Sequence, residues 1–163
     1  EDLDVAIAAG RKGAKETFGK ERTGVAAMAL GMVEQCLELS VDYARTRRQF
    51  GQRIGDFQLI QQKLAMMEIA RVNIENMLFR AFDNISAGRQ VSFAAASASK
   101  LYCAKACMEV CLEAVQLMGG YGYMAEYRVE QLARDAKVLQ IYGGTDEIQT
   151  SQVARSLLGE DEA

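Results

Sequence analysis

The chain has 163 residues, half of them apolar and a quarter charged, which suits one domain with a sizeable core. Its net charge of −3 speaks against general nucleic-acid binding, and no apolar run reaches the 18 residues that would indicate a transmembrane helix. Histidine is absent, which excludes Ser-His-Asp and Cys-His sites and leaves acid–base work to carboxylates, Lys, Tyr or Cys.

Proline is absent too, so nothing of that kind interrupts a helix in mid-run. Residues 1–16 read as a weak helix broken at Gly10 and Gly13, a linker or the remnant of a preceding middle domain. A long first helix is expected from about Thr17 to Arg47, spanning roughly 45 Å at about 1.5 Å per residue. It opens on Glu21-Arg22, runs through small and apolar residues from Gly24 to Val33, and closes on Arg45, Arg47 and Arg48. Gly51 and Gly55 punctuate a turn, and Asp56 is the expected N-cap of the next helix.

That second helix is expected from about Phe57 to Ser86. Ile60, Leu64, Met67, Ile74, Met77, Leu78 and Ala81 fall on one stripe at helical spacing. A third helix is expected from near Ser92 to Met118, rich in Ala, Ser and Cys and ended by Gly119-Gly120. The loop GGYGYMAEY follows, then a short helix, Arg128 to Lys137, and an irregular or extended stretch over 138–144. Thr145 is placed to cap a last helix, Asp146 to Leu158, with Asp146 and Glu147 in its favoured acidic first turn. An acidic tail covers 160–163. Three long helices, a shorter last one and short connections predict an all-α, up-down four-helix bundle over 17–159, with one short extra helix.

Cys103, Cys107 and Cys111 recur every fourth residue on one helix face. A metal or redox site is one reading. Small buried residues at a close helix contact are the simpler one, because the outer two stand about 12 Å apart and cannot share an ion. Free thiols fit a reduced, intracellular setting.

Four places could carry chemistry. Glu21 precedes an apolar, small-residue segment, where a carboxylate loses hydration and becomes a better proton acceptor; the alternative is a solvated first-turn glutamate favoured by the helix dipole. Arg45, Arg47, Arg48 and Arg53 gather near a turn and suit a phosphate or pyrophosphate, or else form a solvated basic face. QLMGGYGY (116–123) follows a helix rather than a strand, so it is no dinucleotide fingerprint, though it offers free backbone N–H groups. IYGGTDEIQ (141–149) sets two glycines before a capped helix, where backbone can approach a ligand, or simply makes a turn.

Taken in order, KERTGVAAMALG, YARTRRQFGQRIGDFQLIQ, QLMGGYGYMAEYRVEQLARDAK and IYGGTDEIQ resemble the C-terminal helical domain of the acyl-CoA dehydrogenases. The resemblance covers about Thr17 to Leu158. It implies an FAD-dependent enzyme that forms a trans-2-enoyl-CoA from an acyl-CoA thioester: a glutamate takes the α-proton and the β-hydrogen leaves as hydride to flavin. It also implies an electron-transfer flavoprotein-like acceptor, fatty-acid β-oxidation, and a homo- or hetero-oligomer built as a dimer of dimers. The setting implied is the bacterial cytoplasm or the mitochondrial matrix.

Most members carry the base inside the I-Y-E-G-T block, where this chain has Gly143. The long-chain and isovaleryl members place it at the start of the first helix, before an arginine, and that position here is Glu21. The resemblance therefore implies Glu21 as the base. It implies flavin contacts at Arg47, Arg48, Gln49, Phe50, Phe57 and Gln58, with Arg47 on the pyrophosphate and Phe50 near the adenine. Gln116, Leu117, Met118, Gly119 and Gly120 would meet the FAD of a neighbouring subunit. Thr145, Asp146 and Glu147 match flavin contacts after the last loop. Gly19, Lys20, Arg22, Tyr142, Gly143, Gly144 and Arg155 match substrate-side positions, although Gly19 replaces a common aspartate and so loses that side-chain contact. No metal is implied. The alternatives are a non-catalytic bundle that mediates oligomerisation and lends FAD contacts to a partner chain, or an oxidase on the same fold.

Overall fold

A computed structural model describes residues 2–159 of the chain, with side chains described at Thr17 and from Glu21 onward. The acidic tail over 160–163 lies outside the described residues.

The described residues form five α-helices: α1 (Asp2–Thr46), α2 (Gln58–Ser86), α3 (Phe93–Met118), α4 (Val129–Leu139) and α5 (Asp146–Leu157). The fold is therefore all-α, as the periodicity predicts. The break expected at Gly10 and Gly13 is not there: α1 runs through both. Each interior glycine costs about 1 kcal/mol against Ala, but the Ala, Lys, Arg and Glu around them are strong helix formers.

The direction of the three long helices can be read from cross-helix pairs. Arg22 meets Ser97, Met32 meets Cys107, and Cys36 meets Cys111, each pair 75 residues apart. A constant offset means that α1 and α3 run parallel. On α2 the partners run the other way: Lys63 meets Glu113 while Asn73 meets Tyr102. The chain thus goes up, down and up, and α4 and α5 close against α3.

The core follows from the stripes. Val25, Ala29, Val33 and Cys36 of α1 face Cys103, Cys107, Cys111 and Ala114 of α3, all buried, with Met67, Ile74 and Leu78 of α2 completing it. The helices can sit close because so many of these side chains are small. Met77, placed on the inner stripe by spacing, is instead exposed. All four cysteines are buried and free. The three on α3 do not converge on one point: Cys111 pairs with Cys36, Cys107 faces Met32 and Cys103 takes Ser99. By length and composition Glu21–Thr46 could cross a membrane. Its inward face, however, is this bundle's own core, and its outer face carries Glu34, Glu38 and Asp42.

Between α1 and α2 lies a two-stranded antiparallel hairpin, β1 (Arg48–Gln49) and β2 (Gln52–Arg53), which spacing alone does not suggest. Phe50 and Gly51 turn it with φ of 52° and 82°, the left-handed pair that a two-residue hairpin needs. Asp56 does not cap α2. It receives two hydrogen bonds from Arg53, at 3.0 and 3.3 Å, and Phe57 stands at the N-cap without a side-chain bond. Ser92 and Thr145 do cap α3 and α5 by accepting from Ala95 N–H and Ile148 N–H.

Candidate functional site

Two clusters stand along α1, one near its middle at Glu21 and one at its C-terminal end. Glu21 and Arg47 are 26 residues apart, or about 39 Å along a straight helix.

The first cluster joins α1, the turn after α4, and the start of α5. α4 runs out at Leu139, and the chain then reverses over 140–145, closed by Asp146 N–H donating to Gln140 O at 3.1 Å. Gly143 and Gly144 take φ of 64° and 95° to make that reversal, a conformation side chains rarely adopt. The turn faces Glu21: a Cβ built on Gly143 would stand 3.6 Å from Glu21 Oε1 and 3.7 Å from Val25. The Glu21 side chain is exposed, so the loss of hydration expected from the apolar segment beside it is not there; only its face toward the turn and Val25 is covered. Beside it, Tyr142 is half-buried and donates to Met28 Sδ at 3.2 Å; burial, and then the Glu21 charge, push its hydroxyl above the usual tyrosine value.

Arg22 turns the other way, into the bundle. It donates to Ser97 Oγ at 2.6 Å, and its guanidinium lies 3.8 Å from the centre of the Phe93 ring. Burial lowers its pKa, while Glu21 opposes the shift.

Behind the turn lie two side chains that the motif reading does not single out. Lys100 of α3 is wholly buried and donates to Gly144 O at 2.7 Å, with Asp146 Oδ1 at 3.8 Å. Burial pulls its pKa below the ordinary lysine value, against the pull of Asp146. Gln149 of α5, also wholly buried, donates from Nε2 to Gly143 O at 2.9 Å and Gly144 O at 3.0 Å. A signal for Lys100 does exist: it is a lone charge on the same face as Ser97, Cys103 and Cys107, where a solvated lysine has no place.

The second cluster is a groove of about 550 Å³ at the C-terminal end of α1. Arg47, Gln49, Leu117, Met118, Gly119 and Gly120 line it, so sequence-distant candidates do meet here. Tyr43, Ile54, Tyr121 and Met124 complete the wall; all four lie within the motifs above, but none is among the contacts the resemblance implies. The Arg47 guanidinium lies 5.1 Å from the Tyr121 ring centre. Gly122 is required by packing, since a Cβ there would meet Val115 O at 2.6 Å. On the hairpin above, Phe50 is 91% exposed and meets Phe57 edge-on at 6.2 Å. Arg48 and Gln58 are exposed beside them.

Some candidates stand apart. Gln116 does not line the groove; its carbonyl accepts the Gly119 N–H that ends α3. Thr145 and Glu147 sit at the start of α5, where the Glu147 backbone N–H and the Thr145 hydroxyl hold the Glu147 carboxyl below its usual pKa. Arg155 is exposed in the last turn of α5, about 14 Å beyond Asp146 along the helix. Gly19 lies within α1 with open space where a Cβ would be. The side chain of Lys20 lies outside the described residues.

Set against known proteins, residues 8–158 match the family described as "Acyl-CoA dehydrogenase, C-terminal domain". An acyl-CoA dehydrogenase of Bacillus subtilis is 45% identical over 142 residues, covering 85% of this chain and 36% of that protein. The caffeyl-CoA reductase-Etf complex subunit CarC of Acetobacterium woodii is 37% identical over 91% of this chain and 39% of its own length. Among solved structures, butyryl-CoA dehydrogenase from Megasphaera elsdenii superposes with a TM-score of 0.85 at 39% identity, covering 89% of this chain and 38% of that one. The chain belongs to the acyl-CoA dehydrogenase family, as its C-terminal helical domain. It spans a little over a third of the length of the curated relatives it matches.

Proposed function

We propose that this chain is the helical-bundle part of an FAD-dependent acyl-CoA dehydrogenase in which Glu21 removes the α-proton of an acyl-CoA thioester. The observation that carries this reading is the placement of the Glu21 carboxyl against the Gly143–Thr145 turn. An α-proton beside a thioester is weakly acidic, so its removal needs a carboxylate held within reach and shielded from water. Here α1 fixes the height of that carboxylate, Val25, Tyr142 and the turn line one side of it, and its other side is open for a substrate and the parts of the enzyme that would cover it. Because Gly143 carries no side chain, nothing from the turn stands between its backbone and the Glu21 carboxyl, where a single Cβ would already touch Glu21 and Val25.

The residues present fit a flavin dinucleotide. The groove supplies a guanidinium from Arg47 for a pyrophosphate, and Tyr121, Phe50 and Phe57 supply ring faces for an adenine. Gly143 and Gly144 let backbone come close to a flat ring system at the first cluster. FAD bound there would accept the β-hydrogen as hydride, chemistry no side chain can supply. The two clusters are too far apart along α1 to hold the two ends of one such molecule. The reading that follows is that Arg47, Gln49 and Leu117–Gly120 serve the flavin of a neighbouring subunit, while Thr145 and Glu147 serve the chain's own.

The relatives' names span acyl-CoA dehydrogenases and a CoA-ester reductase in complex with Etf. An electron-transfer flavoprotein is the redox partner this suggests. The test is to express the full-length protein, look for flavin absorbance, and assay short-, branched- and long-chain acyl-CoAs with an artificial electron acceptor. Reduction by one of these classes supports the reading. A flavin-free protein that reduces nothing supports the alternative, a bundle that only assembles and lends contacts.

A further inference from the structure

We propose that Lys100 and Gln149 are positioning residues for the reaction: together they fix the direction of two peptide groups in the Gly143–Thr145 turn, the turn that lies against Glu21. The inference rests on the reading above and adds to it a buried device behind the turn.

Gly144 O accepts from both Lys100 Nζ, at 2.7 Å, and Gln149 Nε2, at 3.0 Å, while Gly143 O accepts from Gln149 Nε2 at 2.9 Å. Two successive carbonyls are therefore held inward by side chains that are themselves wholly buried. Every described peptide bond is trans, so a carbonyl and the N–H of the same peptide point to opposite sides. With the carbonyls of Gly143 and Gly144 turned in, the N–H groups of Gly144 and Thr145 are turned out. Neither of those N–H groups bonds to any described residue. They are left to a hydrogen-bond acceptor from outside the turn, such as a ring or thioester carbonyl.

An ordinary packing role explains this arrangement less well. A wholly buried ammonium is costly to desolvate, and an apolar side chain would fill the same space without that penalty. Its contact with Gly144 O is charge-assisted, hence stronger and more directional than a neutral bond. Gly144 has also given way to the device: a Cβ there would meet Gln149 Nε2 at 2.6 Å. Backbone bonds close the turn at its ends, but its two central glycines sit at positive φ with no side chains to anchor them, so the buried donors fix the peptides between.

The test uses the full-length, FAD-loaded protein and two variants of similar bulk, Lys100→Met and Gln149→Met. Each is measured for kcat, KM for the best acyl-CoA, the visible flavin spectrum with and without the enoyl-CoA product, and melting temperature. The expected result is a fall in kcat of roughly tenfold to a hundredfold, the scale of a misplacement of about 1 Å. KM and the melting point stay near the parent's, and the product-induced change in the flavin spectrum is weakened. Parental kcat and spectrum in both variants would overturn the proposal. So would a collapse of melting temperature in both, which makes the pair a stability element. Glu21→Gln run alongside separates the two readings. If it keeps turnover while the two Met variants lose it, the base assignment falls and the positioning role stands. If it is inactive and the Met variants are not, the reverse holds.

Discussion

Glu21 and Gly143 face each other across the gap between α1 and the turn after α4, so closely that a Cβ on Gly143 would stand 3.6 Å from Glu21 Oε1. A carboxylate rooted at either position would therefore work in the same small volume. That gives a physical meaning to the exchange of a glutamate between these two places that the family resemblance implies.

The exchange can be made in this chain. In a Glu21→Gln background, Gly143→Glu is expected to restore part of the lost turnover, above the single variant and below the parent. Restoration stays partial because φ of 64° is strained for a side chain, at a cost of order 1–3 kcal/mol. Steady-state rates of the three proteins with one acyl-CoA check this.

At Gly144 no such tolerance is expected. Gly144→Ala combines φ of 95° with a contact of 2.6 Å to Gln149 Nε2, so the buried amide must leave its two carbonyls. A loss of about 2 kcal/mol or more is expected, together with most of the activity. Chemical denaturation of the variant against the parent measures it. A variant as stable and as active as the parent would show that the turn does not depend on this packing.

Stability is expected to decline as pH rises beyond 9. Burial pushes the Cys103 thiol from 9.0 up to about 11, and Cys36 and Cys111 shift in the same direction, led by their mutual or neighbouring thiol contacts. Unfolded thiols ionise from pH 9 while these folded ones do not, so the unfolded state binds fewer protons and stability falls with pH. Each such thiol contributes about 1.4 kcal/mol per pH unit, for Cys103 over the window from 9 to about 11. Unfolding curves at several pH values under reducing conditions check this, and Cys103→Ala should make the decline shallower.

The outer faces of α2 and α3 form a groove of about 820 Å³, lined by Leu59, Met66, Ile69, Tyr102 and Leu112 among others. Leu59 is 73% exposed, and Met66, Ile69 and Leu112 each more than half. Apolar surface gathered in one place marks a contact between proteins. We expect this face to join copies of the full-length protein, and Ile69→Glu to shift the assembly to smaller species in sedimentation. An unchanged sedimentation profile would place the interface elsewhere.

Helical stripes and caps made most of the architecture legible. Thr145 announced the start of α5 and Gly119 the end of α3, because each residue type satisfies a specific backbone need, and the start of α3 fell near Ser92 as expected, where the structure adds a side-chain cap. The hairpin at Arg48–Arg53 was not legible, because Phe50-Gly51 lacks the Asn-Gly signature of a left-handed turn. Glu21 and Gly143 could be paired only through the family resemblance, since nothing local to either residue points to the other. Lys100 and Gln149 escaped notice for a different reason. Their role lies in carbonyls they reach across three elements, and no motif records where a backbone oxygen points.

The most direct measurement of the central claim is the turnover of Glu21→Gln in the full-length protein. The substitution keeps size and shape and removes only the basic oxygen. Turnover should fall by about a hundredfold to ten-thousandfold, the usual range for a lost general base, with FAD still bound and its absorbance retained. Turnover close to that of the parent would mean that another group takes the proton, and that Glu21 is only a neighbour of the turn.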